Sequence, residues 1–191
     1  MIALRWPSPV SDELIAAISA ANPDLQIERN AEGDLILMPP SGLSGGGAEA
    51  ELIGQLRDYV RRRGGRCFSS TAGFTLPNGA LRSPDAAYVS AQRWQELPHA
   101  ERQSFGAIVP DVTFELRSPS ERLADVRRKL AEYIDCGVTM AVLLDARRRV
   151  VEIRRRDGAN SSLHDPARVV LGPPLEGFEL DVESIFELAR E

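Results

Sequence analysis

The chain has 191 residues, a formal net charge of −5, and 43% hydrophobic against 27% charged residues. That balance suits one globular domain spanning residues 1–191 and argues against a surface coated for indiscriminate nucleic-acid binding. Its apolar runs fall short of the roughly 20 residues that cross a bilayer, and "MIALRWPSPVSDELIAA" meets polar residues too early for a signal-peptide core, so a cytoplasmic location and no membrane are expected.

Cys67, Cys136, His99 and His164 are the only cysteines and histidines, and no CxxC or HxxxH spacing occurs. Structural zinc is therefore disfavoured, and any metal chemistry should use oxygen ligands, hence Mg²⁺ or Mn²⁺. Of 23 basic residues only Lys129 is a lysine. Arginines cluster at 61–63 and 66, 127–128, 147–149 and 154–156; such clusters suit either phosphate contacts or solvated helix ends and hairpin tips.

In chain order, "SDELIAAISAANP" reads as a short helix capped by Ser11 and stopped before Pro23. "LQIERNAEGDLILMPP" reads as a hairpin turning at Gly33, and "SGLSGGG" as a loop that lacks the GK[ST] ending of a phosphate-binding P-loop. "AEAELIGQLRDYVRRRGG" carries a helical stripe of Leu52, Ile53, Leu56, Tyr59 and Val60, ended by Gly64 and Gly65. Asn78-Gly79 signals a hairpin turn, and "SAQRWQELPHAERQSFG" reads as helical turns broken at Pro98.

"VPDVTFELRS" reads as a strand with Asp111, Thr113, Glu115 and Arg117 on one face, and Val112, Phe114 and Leu116 on the other. A helix is expected from Ser118, with Pro119 at its first position and Glu121 completing a capping box. Its stripe is Leu123, Val126, Leu130 and Ile134, and Gly137 ends it. "TMAVLLDARRRVVEIRRR" follows as a buried strand, a tight turn and an edge-like strand, and a short amphipathic helix closes the chain. The fold class is α/β with a mixed central sheet.

Asp85 stands at a strand start after Pro84, Glu115 lies on the polar face of the next core strand, and Lys129 flanks the apolar stripe of the following helix. Two carboxylates at neighbouring strand ends suit a hard divalent cation, and a lysine beside them can orient water or stabilise developing negative charge. Together they form a minimal phosphodiester-hydrolysing set. Other readings stand beside this one: Asp85 as a turn residue, and Lys129 paired with Asp125 one turn earlier, a contact of about 0.2–0.5 kcal/mol. Asp111, roughly 13 Å along the strand from Glu115, reads as a structural strand-end residue.

The order "SPDAAYV", then "FELRSPS", then a helix with Asp, Lys, Tyr and Gly in turn resembles the PD-(D/E)XK nuclease superfamily. More narrowly, it resembles the "putative restriction endonuclease" family, over roughly residues 10–186. The resemblance implies a restriction-endonuclease-like fold, a mixed central β-sheet flanked by helices, and metal-dependent hydrolysis of DNA phosphodiester bonds. It further implies Asp85 and Glu115 as metal ligands and Lys129 as the catalytic lysine, supplied from the helix because Arg117 occupies the superfamily's usual place. A first-helix acid often completes such sites; Glu51 is the expected one and Glu49 its rival. Arg117 is expected either to contact a phosphate or to hold Glu115 in position. Many family members carry a histidine near the start of that helix, where this chain has Gly46, Gly47 and Ala48. The expected partner is double-stranded DNA, with a homodimer as one arrangement, since a single site opens only one strand. The alternative function is a catalytically weak or inactive nuclease-fold module that binds DNA or a protein partner.

Overall fold

A computed structural model of the chain describes residues 2–5, 10–103 and 105–190. The first half runs β1 (Ile2–Leu4), α1 (Asp12–Ala21), β2 (Gln26–Arg29), β3 (Leu35–Met38), α2 (Leu43–Arg63), β4 (Arg66–Ser69), β5 (Phe74–Thr75), β6 (Leu81–Arg82) and β7 (Ala86–Val89). After α3 (Ala91–Glu96) and a 3-10 turn (His99–Gln103) come β8 (Val112–Leu116), α4 (Leu123–Asp135), β9 (Met140–Asp145) and β10 (Val150–Arg155). The chain then forms β11 (Ser161–His164), β12 (Arg168–Gly172), β13 (Leu175–Asp181) and α5 (Val182–Leu188). No described helix is long and apolar enough to cross a membrane.

The central sheet has the order β11-β10-β9-β8-β7-β4. It is mixed: β8 and β9 run parallel, joined through α4, and the remaining neighbours are antiparallel. All six residues of β9, "MAVLLD", are buried, as the near-continuous apolar run of a doubly covered strand requires. Leu52, Leu56 and Tyr59 of α2 and Ile185 and Phe186 of α5 cover one face, meeting Phe114, Val142 and Leu144. Val126, Leu130 and Tyr133 of α4 cover the other, meeting Ala87, Ala141 and Leu143.

A second, antiparallel sheet has the order β1-β3-β2-β6-β5. It packs Ile27, Leu35 and Leu81 with Val10 and Ile15 of the α1 region. The chain crosses from this sheet to the central one through Ser83, Pro84 and Asp85, between β6 and β7. The turn from α2 into β4 is equally constrained. Gly65 has φ +89°, and a Cβ there would stand 2.7 Å from both the Tyr88 ring and the Val89 carbonyl oxygen, so only glycine fits.

Three expectations are corrected. Most of "SGLSGGG" is not a loop but the opening of α2, with Gly45, Gly46 and Gly47 helical. The buried Ala48, Leu52 and Leu56 stripe outweighs the roughly 1 kcal/mol that each glycine costs a helix. Secondly, α4 begins at Leu123 rather than Ser118. Glu121 does accept the Ser118 N–H at 2.9 Å, but the Glu121 carbonyl is taken by the Arg117 guanidinium, so these residues close a turn instead of a helical one. Thirdly, β10 is not an edge: β11, exposed along its whole length, pairs outside it.

Phe114 is fully buried between α2, α5 and the central sheet. Phe114→Ala is expected to lower stability by about 3–5 kcal/mol in chemical denaturation, as large-to-small substitutions of buried aromatics do.

Candidate active site

Asp85 and Glu115 meet because of strand register. β7 and β8 pair antiparallel with Ala86 opposite Phe114 and Ala87 opposite Thr113. One further step sets Asp85 across from Glu115 on the same face, where facing residues have Cβ atoms about 5 Å apart. Asp85 Oδ2 accepts the Leu116 N–H at 2.5 Å, fixing the aspartate beside the residue that follows Glu115. Both acids project to the α4 side of the sheet, the side of Ala87, Leu130 and Tyr133.

α4 supplies two groups one turn apart. The Lys129 ammonium lies 3.0 Å from Glu115 Oε1 and 3.1 Å from its Oε2, and Tyr133 donates its hydroxyl to Glu115 Oε1 at 2.8 Å. The helix-surface pair with Asp125 does not form; Asp125 takes Arg128 instead. Lys129 thus runs its stem along the sheet and presents its charge inward, its side chain 18% exposed.

A fourth residue was not foreseen. Glu28, on β2 of the other sheet, is 2% exposed, and its Oε1 accepts the Lys129 ammonium at 3.0 Å and the Ser83 N–H at 2.9 Å. Its Oε2 pairs with Arg82 at 3.0 Å, and Arg82 in turn reaches Glu132 of α4 at 2.7 Å. In sequence Glu28 alternates with Ile27 and reads as the wet face of a hairpin. In the fold Lys129 of α4 and Arg82 of β6 reach it, and only the lone lysine far along the chain hinted that a second counter-charge was needed.

Of the two first-helix acids, Glu49 approaches and Glu51 does not. Residues two apart on a helix point about 200° apart. Glu51 turns toward α5: Gln55 of its own helix donates to it at 2.9 Å and Ser184 of α5 at 3.4 Å. Glu49 instead accepts the Ser70 hydroxyl at 2.6 Å, and its charge acts on Asp85. Arg117 does not hold Glu115. Its guanidinium binds Asp145 at 2.8 Å and the Glu121 carbonyl, because β8 has ended and the Arg117 N–H already follows the Leu144 carbonyl of β9. Asp111, at the far end of the strand, accepts the Ser90 N–H at 2.7 Å and pairs with Arg93 at 3.0 Å.

The electrostatics follow from crowding acids around one ammonium. Burial, and then the charge of Glu115, push the Asp85 carboxyl well above its usual range; the Leu116 N–H opposes this only in part. Burial also raises Glu115, against the pull of Lys129. For Glu28, burial is outweighed by Lys129, Arg82 and the Ser83 N–H, which hold it below the ordinary value. Burial would lower Lys129, but Glu115 and Glu28 raise it above an ordinary lysine. Tyr133 is pushed well above its usual value by burial and then by Glu115, so it stays a neutral donor.

No curated protein matches the chain. Among solved structures, the crystal structure of "a putative nuclease belonging to DUF820" from Anabaena variabilis has a TM-score of 0.71 and 22% identity, covering 85% of this chain and 90% of that one. At that identity the likeness concerns the fold, which is the same mixed sheet flanked by helices. A cryo-EM DrdV–DNA complex is a partial likeness, with a TM-score of 0.38 and 12% identity over 63% of this chain and 12% of that one. The family model "Uma2: Putative restriction endonuclease" matches residues 12–183, taking in the hairpin with Glu28, both site strands and α4, and on that match the chain belongs to the Uma2 family.

Proposed function

We propose that the chain is a metal-dependent endonuclease that hydrolyses DNA phosphodiester bonds, with Asp85 and Glu115 as metal ligands and Lys129 as the catalytic lysine. The observation that carries this reading is the meeting of two enclosed carboxylates and the chain's one ammonium at adjacent strand ends. No group of three or more His, Cys, Asp or Glu side chains is gathered as a metal cluster among the described residues. A two-carboxylate set still fits Mg²⁺ or Mn²⁺, which keep water and substrate phosphate in their other positions. Asp85 supports the fit: its ionised form is disfavoured by burial and by Glu115, and a cation would reverse that penalty.

When bound, the ion would neutralise charge on the scissile phosphate and make its water more acidic. Lys129, its ammonium stabilised by two carboxylates, acts as a charged donor toward the developing negative charge and not as a proton-abstracting base. Tyr133 orients Glu115 through its hydroxyl, leaving the carboxylate as acceptor. Glu49, anchored by Ser70, is the first-helix acid better placed to support the pair.

Charge at the periphery fits a duplex substrate approaching one end of the central sheet. The turns at residues 117–122 and 145–149 lie at the same end as Glu115, joined by the Arg117–Asp145 pair, and they expose Arg122 and Arg147. Arg61, Arg62 and Arg63 close α2 at the opposite end. The second reading, a nuclease-fold module that binds without cutting, draws support from Glu115, whose oxygens already serve Lys129 and Tyr133.

Three measurements test these assignments. Wild-type protein should nick plasmid DNA only with Mg²⁺ or Mn²⁺, and Lys129→Met should lower the rate by about 10²–10³-fold, the cost of removing one transition-state donor; binding without cleavage by the wild type selects the second reading. Arg147→Gln should weaken DNA binding and reduce its salt slope by about one, whereas Arg62→Gln should leave both unchanged. Asp85→Asn should raise the melting temperature of the metal-free protein at pH 7 and abolish stabilisation by Mg²⁺. The sign follows from linkage: a carboxyl raised in the fold loses stability as pH rises above its unfolded value of about 3.9. The gap between wild type and variant should therefore close below about pH 4.

A further inference from the structure

Glu28 stands outside the carboxylate pair yet touches what positions it. Its Oε1 is shared by two donors, the Lys129 ammonium at 3.0 Å and the Ser83 N–H at 2.9 Å. Ser83 lies two residues before Asp85, in the segment that carries the chain from the second sheet into β7. The other oxygen holds Arg82, whose bond to Glu132 returns to α4. One carboxylate therefore joins β2, the Asp85 segment and the helix bearing Lys129.

Arg82 and the Ser83 N–H already engage both Glu28 oxygens, and the contact with Lys129 adds a direct tie to the ammonium on α4. Glu115 cannot hold the ammonium unaided, because its oxygens are also those a cation would claim, and like charges at close range repel. Glu28 is held by Arg82 and the Ser83 N–H, and so can keep its hold on Lys129 while Asp85 and Glu115 are engaged.

We propose that Glu28 is a positioning residue: it fixes the Lys129 ammonium relative to the Asp85–Glu115 pair by tying it to the backbone of the segment that delivers Asp85. This rests on the nuclease reading and adds to it a residue on the other sheet. The role is distinct from stabilising the fold, because removing it should displace the ammonium without altering how substrate binds.

Lys129 is the only lysine, so full-length protein labelled with ¹⁵N-lysine gives one side-chain ammonium signal. In the wild type this signal should be protected from solvent exchange, and it should remain so when Mg²⁺ is added. In Glu28→Gln, protection should be lost and kcat for plasmid nicking should fall about 10- to 100-fold, the usual cost of losing an outer-shell partner, with KM for DNA unchanged. Glu28→Asp, which keeps the carboxylate, should restore part of both. Glu32→Gln, which removes an exposed acid from the same hairpin, should change neither. Wild-type protection and kcat in Glu28→Gln would overturn the proposal and leave the nuclease reading intact. If Glu28→Gln fails to fold by circular dichroism, Glu28→Asp decides: unchanged ammonium protection and kcat overturn the assignment, and a fall in both upholds it. If the wild type cuts no DNA, the nuclease reading fails, while the two ammonium signals still decide whether Glu28 holds Lys129.

Discussion

The Lys129 ammonium, shared between Glu28 and Glu115, is the interaction on which this arrangement depends. The charges of the neighbouring acids act on one another through space: Glu115 and Glu49 on Asp85, and Glu28 on Glu115. The cations directly involved are Lys129 and Arg82. Removing one partner of such a buried pair typically costs about 3–5 kcal/mol, because the remaining charge has neither water nor counter-ion. The position also explains why this arginine-rich chain keeps a lysine here. A compact ammonium on a flexible stem can enter between two carboxylates from different sheets, whereas a planar guanidinium demands a flat, bidentate partner.

The fold brings these groups together through two crossings. β8 passes through α4 into the parallel neighbour β9, which lays the helix over the end of the strand that carries Glu115. Between β6 and β7 the chain leaves one sheet for the other, and Asp85 sits just after that switch. Arg82 and Ser83, immediately before it, are the anchors of Glu28. At that switch burial and the neighbouring Glu115 charge act together on Asp85.

Much of this was legible from local signals. A Pro-Asp step at a strand entry, an acid flanked by Phe114 and Leu116, and a solitary lysine on a striped helix each marked a residue that the fold gathers at one place. What stayed hidden depended on partners distant in sequence. Glu28 went unmarked because nothing near it in sequence announces Lys129 of α4 as its partner. Glu49 and Glu51 differ only in which side of α2 they occupy, and that is decided by α5, more than a hundred residues later. Glu121 made a convincing capping box, but Arg117 diverted its carbonyl, and the helix began later. The glycines opening α2 read as a loop because local propensity says nothing of the core packed behind them.

The sharing of Glu28 Oε1 between Lys129 and the Ser83 backbone has a consequence for how the chain can be divided. The six-stranded sheet carries both facing acids and its own covering helices. Cut away from the amino-terminal hairpin, it would keep the acids and lose the clasp on the ammonium. A division of the chain that keeps that contact therefore starts ahead of Gln26 and takes both sheets together.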